Sequence, residues 1–226
     1  MNDAALRLVD LRKGFDAGQG RFEVLRGASL DVARGEVIAM LGPSGAGKST
    51  LLHIAGLLDT PDSGEIVLDG RSCARLSDGE RTAIRRGTVG FVYQFHNLLP
   101  EFSATDNVAL PQMVAGKSAS EARARAKDLL SRLGLGQRLE HYPTQLSGGE
   151  QQRVAICRAM ANSPRILLAD EPTGNLDERT ADAVFAELLR VAREDGVAAL
   201  IATHNGALAD RMDRRILLHN GVIEAG

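Results

Sequence analysis

Short apolar runs alternate along this chain with clusters of turn-forming residues, and the runs show two different periods. Val37-Ile38-Ala39-Met40-Leu41, Val89-Gly90-Phe91-Val92-Tyr93, Arg165 to Asp170 and Val197 to Thr203 are nearly continuous apolar stretches of strand length, as expected of strands buried on both faces of a parallel sheet. Leu6 to Phe15 and Phe22 to Val32 alternate in character instead, which predicts a small antiparallel sheet near the N-terminus, continued by Glu65 to Leu68 before Asp69-Gly70. Helices are predicted over Leu51 to Leu58, Ser77 to Arg86, the segment from the Ser118/Glu121 capping box to Leu133 with Gly134 as its stop, Gln151 to Met160, Glu178 to Asp195 and around Ala207 to Met212. The chain ends in a predicted hairpin, Ile216 to Leu218 and Val222-Ile223, about an Asn220-Gly221 turn. The order of elements predicts an α/β fold: one domain over 1–226, in which 1–94 and 162–226 form a mainly parallel core with its antiparallel β subdomain and 95–161 is an inserted helical lobe.

Composition removes several function classes. At 226 residues with 44% hydrophobic content there is material for a substantial core. A formal charge of −2 with no basic block lacks the footprint of a nucleic-acid binder, so no nucleic-acid partner is expected. Cys73 and Cys157 form no Cys-x-x-Cys pair and read as plain thiols of a reducing compartment. The first twenty residues lack the apolar core of a secretion signal and no run approaches bilayer-spanning length, so a membrane role requires a partner.

Candidate chemistry begins where the first core strand meets a helix. Gly42-Pro43-Ser44-Gly45-Ala46-Gly47-Lys48-Ser49-Thr50 has the spacing of a phosphate cradle: the glycines let backbone N–H groups turn inward around an anion, and the following helix aims its positive end at the same point. Lys48 would reach the β- and γ-phosphates of a nucleoside triphosphate, and the Ser49 hydroxyl would ligate Mg2+. Gln94, at the end of a strand beside this loop, is placed to touch the cation and the attacking water. Asp170 and Glu171 end another core strand: Asp170 would hold magnesium through water, and Glu171 would orient and deprotonate the attacking water. His204 ends a third and would donate to the γ-phosphate. Phe15, just before a polar loop, is either a stacking platform for a purine base or a core or edge aromatic. The apolar stretch Phe95 to Phe102 has no core period and wants a cover, from the helical lobe or from a partner protein. Arg81, Arg85 and Arg86 read as a solvated helix face, as do Arg123, Arg125 and Lys127.

Leu146-Ser147-Gly148-Gly149-Glu150 opens the Gln151 helix with a capping box, yet carries two glycines that each cost about 1 kcal/mol against alanine in a helix. Close approach of backbone N–H groups to a second anion accounts for them. Taken together, the phosphate loop, Gln94, this signature, the Asp170-Glu171 strand, the Asn175-Leu176-Asp177 turn and His204 resemble the nucleotide-binding subunit of ATP-binding-cassette (ABC) transporters over nearly the whole chain. The resemblance implies that ATP with Mg2+ is hydrolysed, and that two copies sandwich two nucleotides head to tail. Ser147, Gly148, Gly149, Glu150 and Asp177 of one copy would then meet ATP held by the other, and Phe15 would stack on the base. Asn205 stands where that family usually has aspartate. The segments Leu52 to Pro61 and Tyr93 to Phe102 are similar to the ATPases of lipoprotein-releasing complexes, with efflux and cell-division ATPases as neighbours. This implies two integral membrane subunits contacted through the loop Gln94 to Phe102, on the cytoplasmic face of the inner membrane.

Overall fold

A computed structural model describes residues 4–225 apart from 17, 19 and 75. The alternating N-terminal segments form β1 (Ala4–Asp16) and β2 (Arg21–Ala33), which pair antiparallel, and with β4 (Ser63–Leu68) and β5 (Arg71–Ser72) make a sheet in the order β2-β1-β4-β5. The near-continuous apolar runs become β3 (Val37–Leu41), β6 (Val89–Tyr93), β7 (Ile166–Asp170) and β8 (Ala198–Ala202), parallel to one another and to β9 (Arg214–His219). β10 (Val222–Ala225) closes that second sheet antiparallel to β9, giving the order β10-β9-β3-β8-β7-β6. The Asn220-Gly221 turn that joins the last two strands has both residues at positive φ, 50° and 78°, as this hairpin type requires.

Both faces of the parallel sheet are covered, and successive strand residues serve opposite cores. Val37 and Ala39, Leu167 and Ala169, and Ala199 and Ile201 face one cluster. Ile38 and Met40, Leu168, and Leu200 and Ala202 face the other. That period of two, with neither face wet, is why these strands read as unbroken apolar runs. Each fully buried Leu or Ile contributes about 1.5–3 kcal/mol. The second cluster joins α1 (Lys48–Ala55) and the antiparallel sheet to the parallel one. The first joins it to α3 (Ala104–Val114), α4 (Ala119–Arg132), α5 (Gly148–Met160) and α6 (Glu178–Glu194). The helices of 95–161 therefore share a continuous core with the sheet they interrupt.

Several elements differ from the reading of the sequence. Helix α1 starts at Lys48, earlier than expected, because Gly47 adopts a left-handed conformation (φ 98°) and acts as its N-cap. It stops at Gly56, where an added Cβ would stand 1.9 Å from Phe91 Cζ, so the helix end packs on β6 only without a side chain there. The arginines of α2 (Asp78–Thr88) are not simply a wet face. Arg81 and Arg85 both donate to the Leu57 carbonyl, at 3.1 and 2.6 Å, and Arg86 donates to the Val114 carbonyl at 3.0 Å. With Ile84 the one buried side chain of α2, these long polar arms do the docking. Arg123, Arg125 and Lys127 do lie outside the core, paired with Asp106, Ser163 and Glu140. Helix α3 carried no apolar period: Thr105, Asn107 and Gln112 are among its buried positions, and Pro111 lies inside it. The final helix, α7 (Gly206–Ala209), is shorter than expected and is capped by Asn205, whose Oδ1 accepts from Leu208 N at 3.2 Å. The asparagine thus fills the N-cap role that an aspartate would also fill. Cys73 and Cys157 are buried thiols, and burial pushes both above their ordinary pKa.

Candidate active site

Parallel register aligns the ends of four strands. Tyr93 of β6 stands opposite Asp170 of β7, Asp170 opposite Ala202 of β8, and Ala202 opposite Met40 of β3. Two further hydrogen bonds extend the ladder past the strands, from Glu171 N to Ala202 O (3.0 Å) and from Thr203 N to Met40 O (3.1 Å). The residues that follow each strand are therefore brought to one edge, the C-terminal edge at which open α/β sheets bind ligands. A cleft of ≈ 590 Å³ lies there, lined by the loop 42–50, Val24, Gln94, Asp170, Glu171 and His204.

The loop has the backbone that an anion cradle needs. Gly45 and Gly47 are left-handed, at φ 80° and 98°, while an added Cβ on Gly42 would stand 2.4 Å from the Leu218 carbonyl oxygen. The N-terminus of α1 opens directly onto the cleft, with its unpaired N–H groups and positive dipole end. Lys48 Nζ donates to the carbonyls of Gly42 and Pro43, at 2.8 and 3.2 Å. An ammonium has three donors, so one remains for an anion while both contacts hold.

At the facing strand ends the carboxylates take different environments. Glu171 is left-handed at φ 46°, a conformation that costs a non-glycine residue of order 1–3 kcal/mol, and only 17% of its side chain is exposed. Its Oε2 is 2.9 Å from His204 Nδ1 and also accepts from His204 N at 3.3 Å. With Nδ1–H given to Glu171, the exposed Nε2 of His204 donates to a phosphate oxygen only as imidazolium. Gln94 is held by a reciprocal pair: its Nε2 donates to Asn175 Oδ1 at 3.0 Å, and Asn175 Nδ2 donates to the Gln94 carbonyl at 3.1 Å. That assignment leaves Gln94 Oε1 as the end of the side chain that can meet a cation. Gly174 makes room, since a Cβ there would be 3.0 Å from Gln94 Nε2. The Ser49 hydroxyl, Gln94 Oε1 and the Asp170 carboxylate line the same cleft and are hard oxygen donors. Among the described residues no group of three or more His, Cys, Asp or Glu makes an all-protein metal cage. Such a donor set fits magnesium, which keeps several waters and takes one or two carboxylates along with a substrate's phosphates.

Six of the residues singled out in the sequence lie outside this cleft. Phe15 is 44% exposed on β1, with Lys13 Nζ 5.2 Å from its ring centroid. Ser147, Gly148, Gly149 and Glu150 stand at the N-terminus of α5, and Asp177 caps α6 through its Oδ1, which accepts from Thr180 N at 3.1 Å. Gly149 has a reason within the chain, since a Cβ there would meet Thr180 Cγ2 at 2.5 Å. Close packing of α5 on α6 thus explains one of the two glycines without a ligand. Gly148 is exposed, with Leu176 the one neighbour an added Cβ would touch, at 3.3 Å. Asn175, which fixes Gln94, went unassigned in the sequence as a site residue because nothing in its spacing pairs it with a strand end 81 positions away.

The capping box at Ser147 is fully formed. Glu150 Oε2 accepts from Ser147 N at 2.8 Å and from Ser147 Oγ at 2.9 Å, and Arg138 Nε donates to Oε1 at 3.0 Å. The backbone bond from Ser147 first, and Arg138 after it, hold the Glu150 carboxyl down from 4.5 to about 2. A carboxylate depressed on folding stabilises the native state above its unfolded value and loses that contribution as pH falls through the folded one. Wild-type protein is therefore expected to lose stability between pH 4.5 and about 2 more steeply than a Glu150→Gln variant, in urea melts taken across that range. At neutral pH the variant should be less stable by about 1 kcal/mol, because glutamine can keep the capping box but replaces the charge-assisted bonds from Ser147 and Arg138 with neutral ones.

An anion cradle, oxygen donors for a hard cation and a carboxylate held beside a histidine, all on one sheet edge, define a P-loop nucleoside triphosphatase that transfers a phosphoryl group to water. Residues 25–174 match the ABC transporter family, and the chain belongs to that family. It is 60% identical over 223 residues to the lipoprotein-releasing system ATP-binding protein LolD of Paramagnetospirillum magneticum, covering 99% of each chain. It is also 60% identical to LolD 2 of Caulobacter vibrioides, over 99% of this chain and 98% of the other. Among solved structures it is similar to the dimeric bacterial ABC transporter cassette MJ0796, with 40% identity, a TM-score of 0.88, and 97% and 96% of the two chains covered. The same cassette in a dimeric post-hydrolysis state bound to ADP and Pi matches with a TM-score of 0.88 at 39% identity, over 97% of this chain and 98% of that one.

Proposed function

We propose that this chain is the ATP-hydrolysing subunit of an inner-membrane ABC complex that powers release of lipoproteins toward the outer membrane. The observation that carries this reading is the full-length identity to lipoprotein-releasing ATPases, at 60% over 99% of the chain. In it, the loop 42–50 with Lys48 grips the triphosphate, and Glu171 takes a proton from the attacking water that Gln94 orients. His204 touches the γ-phosphate, and Phe15 stacks on the base. Ser49, Gln94 and Asp170 would hold magnesium, which neutralises charge across the β- and γ-phosphates when bound. A second copy completes each site with Ser147, Gly148, Gly149, Glu150 and Asp177, the arrangement favoured by the likeness to a dimeric cassette. ATP would then close the pair by binding the closed state more tightly than the open one.

Among the described residues no helix is long and apolar enough to cross a membrane, so attachment is peripheral in this reading. Its surface is the loop after β6. Leu98 packs on the core, whereas Phe95, Leu99 and Phe102 stay 70%, 39% and 39% exposed. The cover therefore comes only in part from this chain, and the outward aromatics suit two integral membrane subunits at the cytoplasmic face. Purification from mild-detergent extracts should bring integral membrane proteins with the chain, and vesicles holding that complex should release lipoprotein when ATP is added. A complex that hydrolyses ATP yet releases none, moving a small amphipathic compound instead, would overturn the cargo.

A further inference from the structure

Gln152, three residues into α5 beyond Gly149, is 0% exposed. It is not used by the site described above. Its Nε2 donates to the carbonyl of Tyr93, the last residue of β6, at 3.2 Å, and its Oε1 meets His96 Nδ1. The amide cannot be turned over, because that would set Oε1 against the Tyr93 carbonyl, acceptor against acceptor. His96 must therefore donate from Nδ1, which it does as the matching neutral tautomer or as imidazolium. Six residues further along α5, Arg158 donates to the carbonyls of His96, at 2.8 Å, and Asn97. Gln94 lies between Tyr93 and His96, so the chain on both sides of it is fastened to the helix whose first turn is Ser147 to Glu150.

We propose that Gln152, through its locked pair with His96, is a positioning residue for Gln94. It sets where the Gln94 side chain stands in the cleft and makes that position follow any movement of α5. The inference rests on the reading above, in which Gln94 serves hydrolysis. A positioning role at the reacting end predicts a fall in kcat with little change in the KM for ATP, because the triphosphate is gripped elsewhere, by the loop 42–50. A helix that was only structural would lose stability and leave this split unmoved.

The test is steady-state ATP hydrolysis by the full chain with its membrane partners. His96→Ala and Gln152→Ala should each lower kcat by roughly three- to tenfold, as for one lost hydrogen bond, with KM within about twofold of wild type. His96→Asn, whose amide nitrogen takes the place of Nδ1, should restore most of the rate, while His96→Gln should not. The double variant should be no slower than Gln152→Ala, since that change already removes the bond to His96 along with the one to Tyr93. Wild-type kcat in His96→Ala, no recovery in His96→Asn, or additive losses would each overturn the proposal. Lys48→Ala in the same assay separates the two readings. If it hydrolyses ATP normally, the nucleotide assignment has failed. If it is inactive while His96→Ala and Gln152→Ala run at the wild-type rate, only the positioning role has failed.

Discussion

Replacing Glu171 by glutamine is expected to slow ATP turnover by about a hundredfold or more while ATP still binds, the loss typical when a general base is removed. The substitution isolates the proton-accepting function. Glutamine has the same shape, fits the same left-handed backbone position, and offers an amide oxygen to the His204 Nδ1–H that now meets the carboxylate. What it cannot do is take a proton from water. Phosphate release in single turnovers, set beside equilibrium binding of a fluorescent ATP analogue, reads the two properties separately. Because hydrolysis removes the ATP that closes the proposed pair, the variant should also elute as a dimer in ATP where wild type does not. Unchanged turnover would remove Glu171 from the reaction.

Lys48→Ala should act one step earlier, on binding itself. Its ammonium sits at the mouth of the loop on the Gly42 and Pro43 carbonyls, and charged hydrogen bonds contribute about 1.5–3 kcal/mol each. Losing one or more of them to the triphosphate predicts ATP affinity weaker by roughly tenfold to several hundredfold. The loop should survive the change, since its left-handed glycines and the bond from Ala46 N to the Pro43 carbonyl do not involve the lysine side chain. Titration calorimetry with ATP decides the matter: wild-type affinity in Lys48→Ala would contradict the phosphate assignment.

The parallel core was legible because its strands are buried on both faces, which writes Val37 to Leu41 and Val197 to Thr203 as apolar runs that no wet strand would tolerate. The cradle, Gln94, the Asp170-Glu171 pair and His204 were legible because each follows such a run directly, and register then did the rest. Two kinds of feature were hard to read. Helix α3 buries polar side chains against backbone, so it has no hydrophobic period, although Ser103 with Asp106 was a usable start signal. Long-range pins such as Asn175 on Gln94 and Gln152 on Tyr93 depend on which helix passes which strand end, and spacing carries nothing of that. The glycine at 149 was read toward a ligand alone, and its second reason, room for Thr180 31 residues further along the chain, is hidden by the signature's compactness.

Asn107 donates from its buried amide to the carbonyls of Leu99, Phe102 and Ser103 and accepts from Leu99 N, so the path of this apolar loop is dictated by an outside residue acting on its main chain. The side chains of Phe95, Leu99 and Phe102 make none of these bonds. In the proposed complex, a lineage can therefore exchange these outward side chains to suit a membrane companion and keep an unaltered nucleotide machine behind a changeable adaptor.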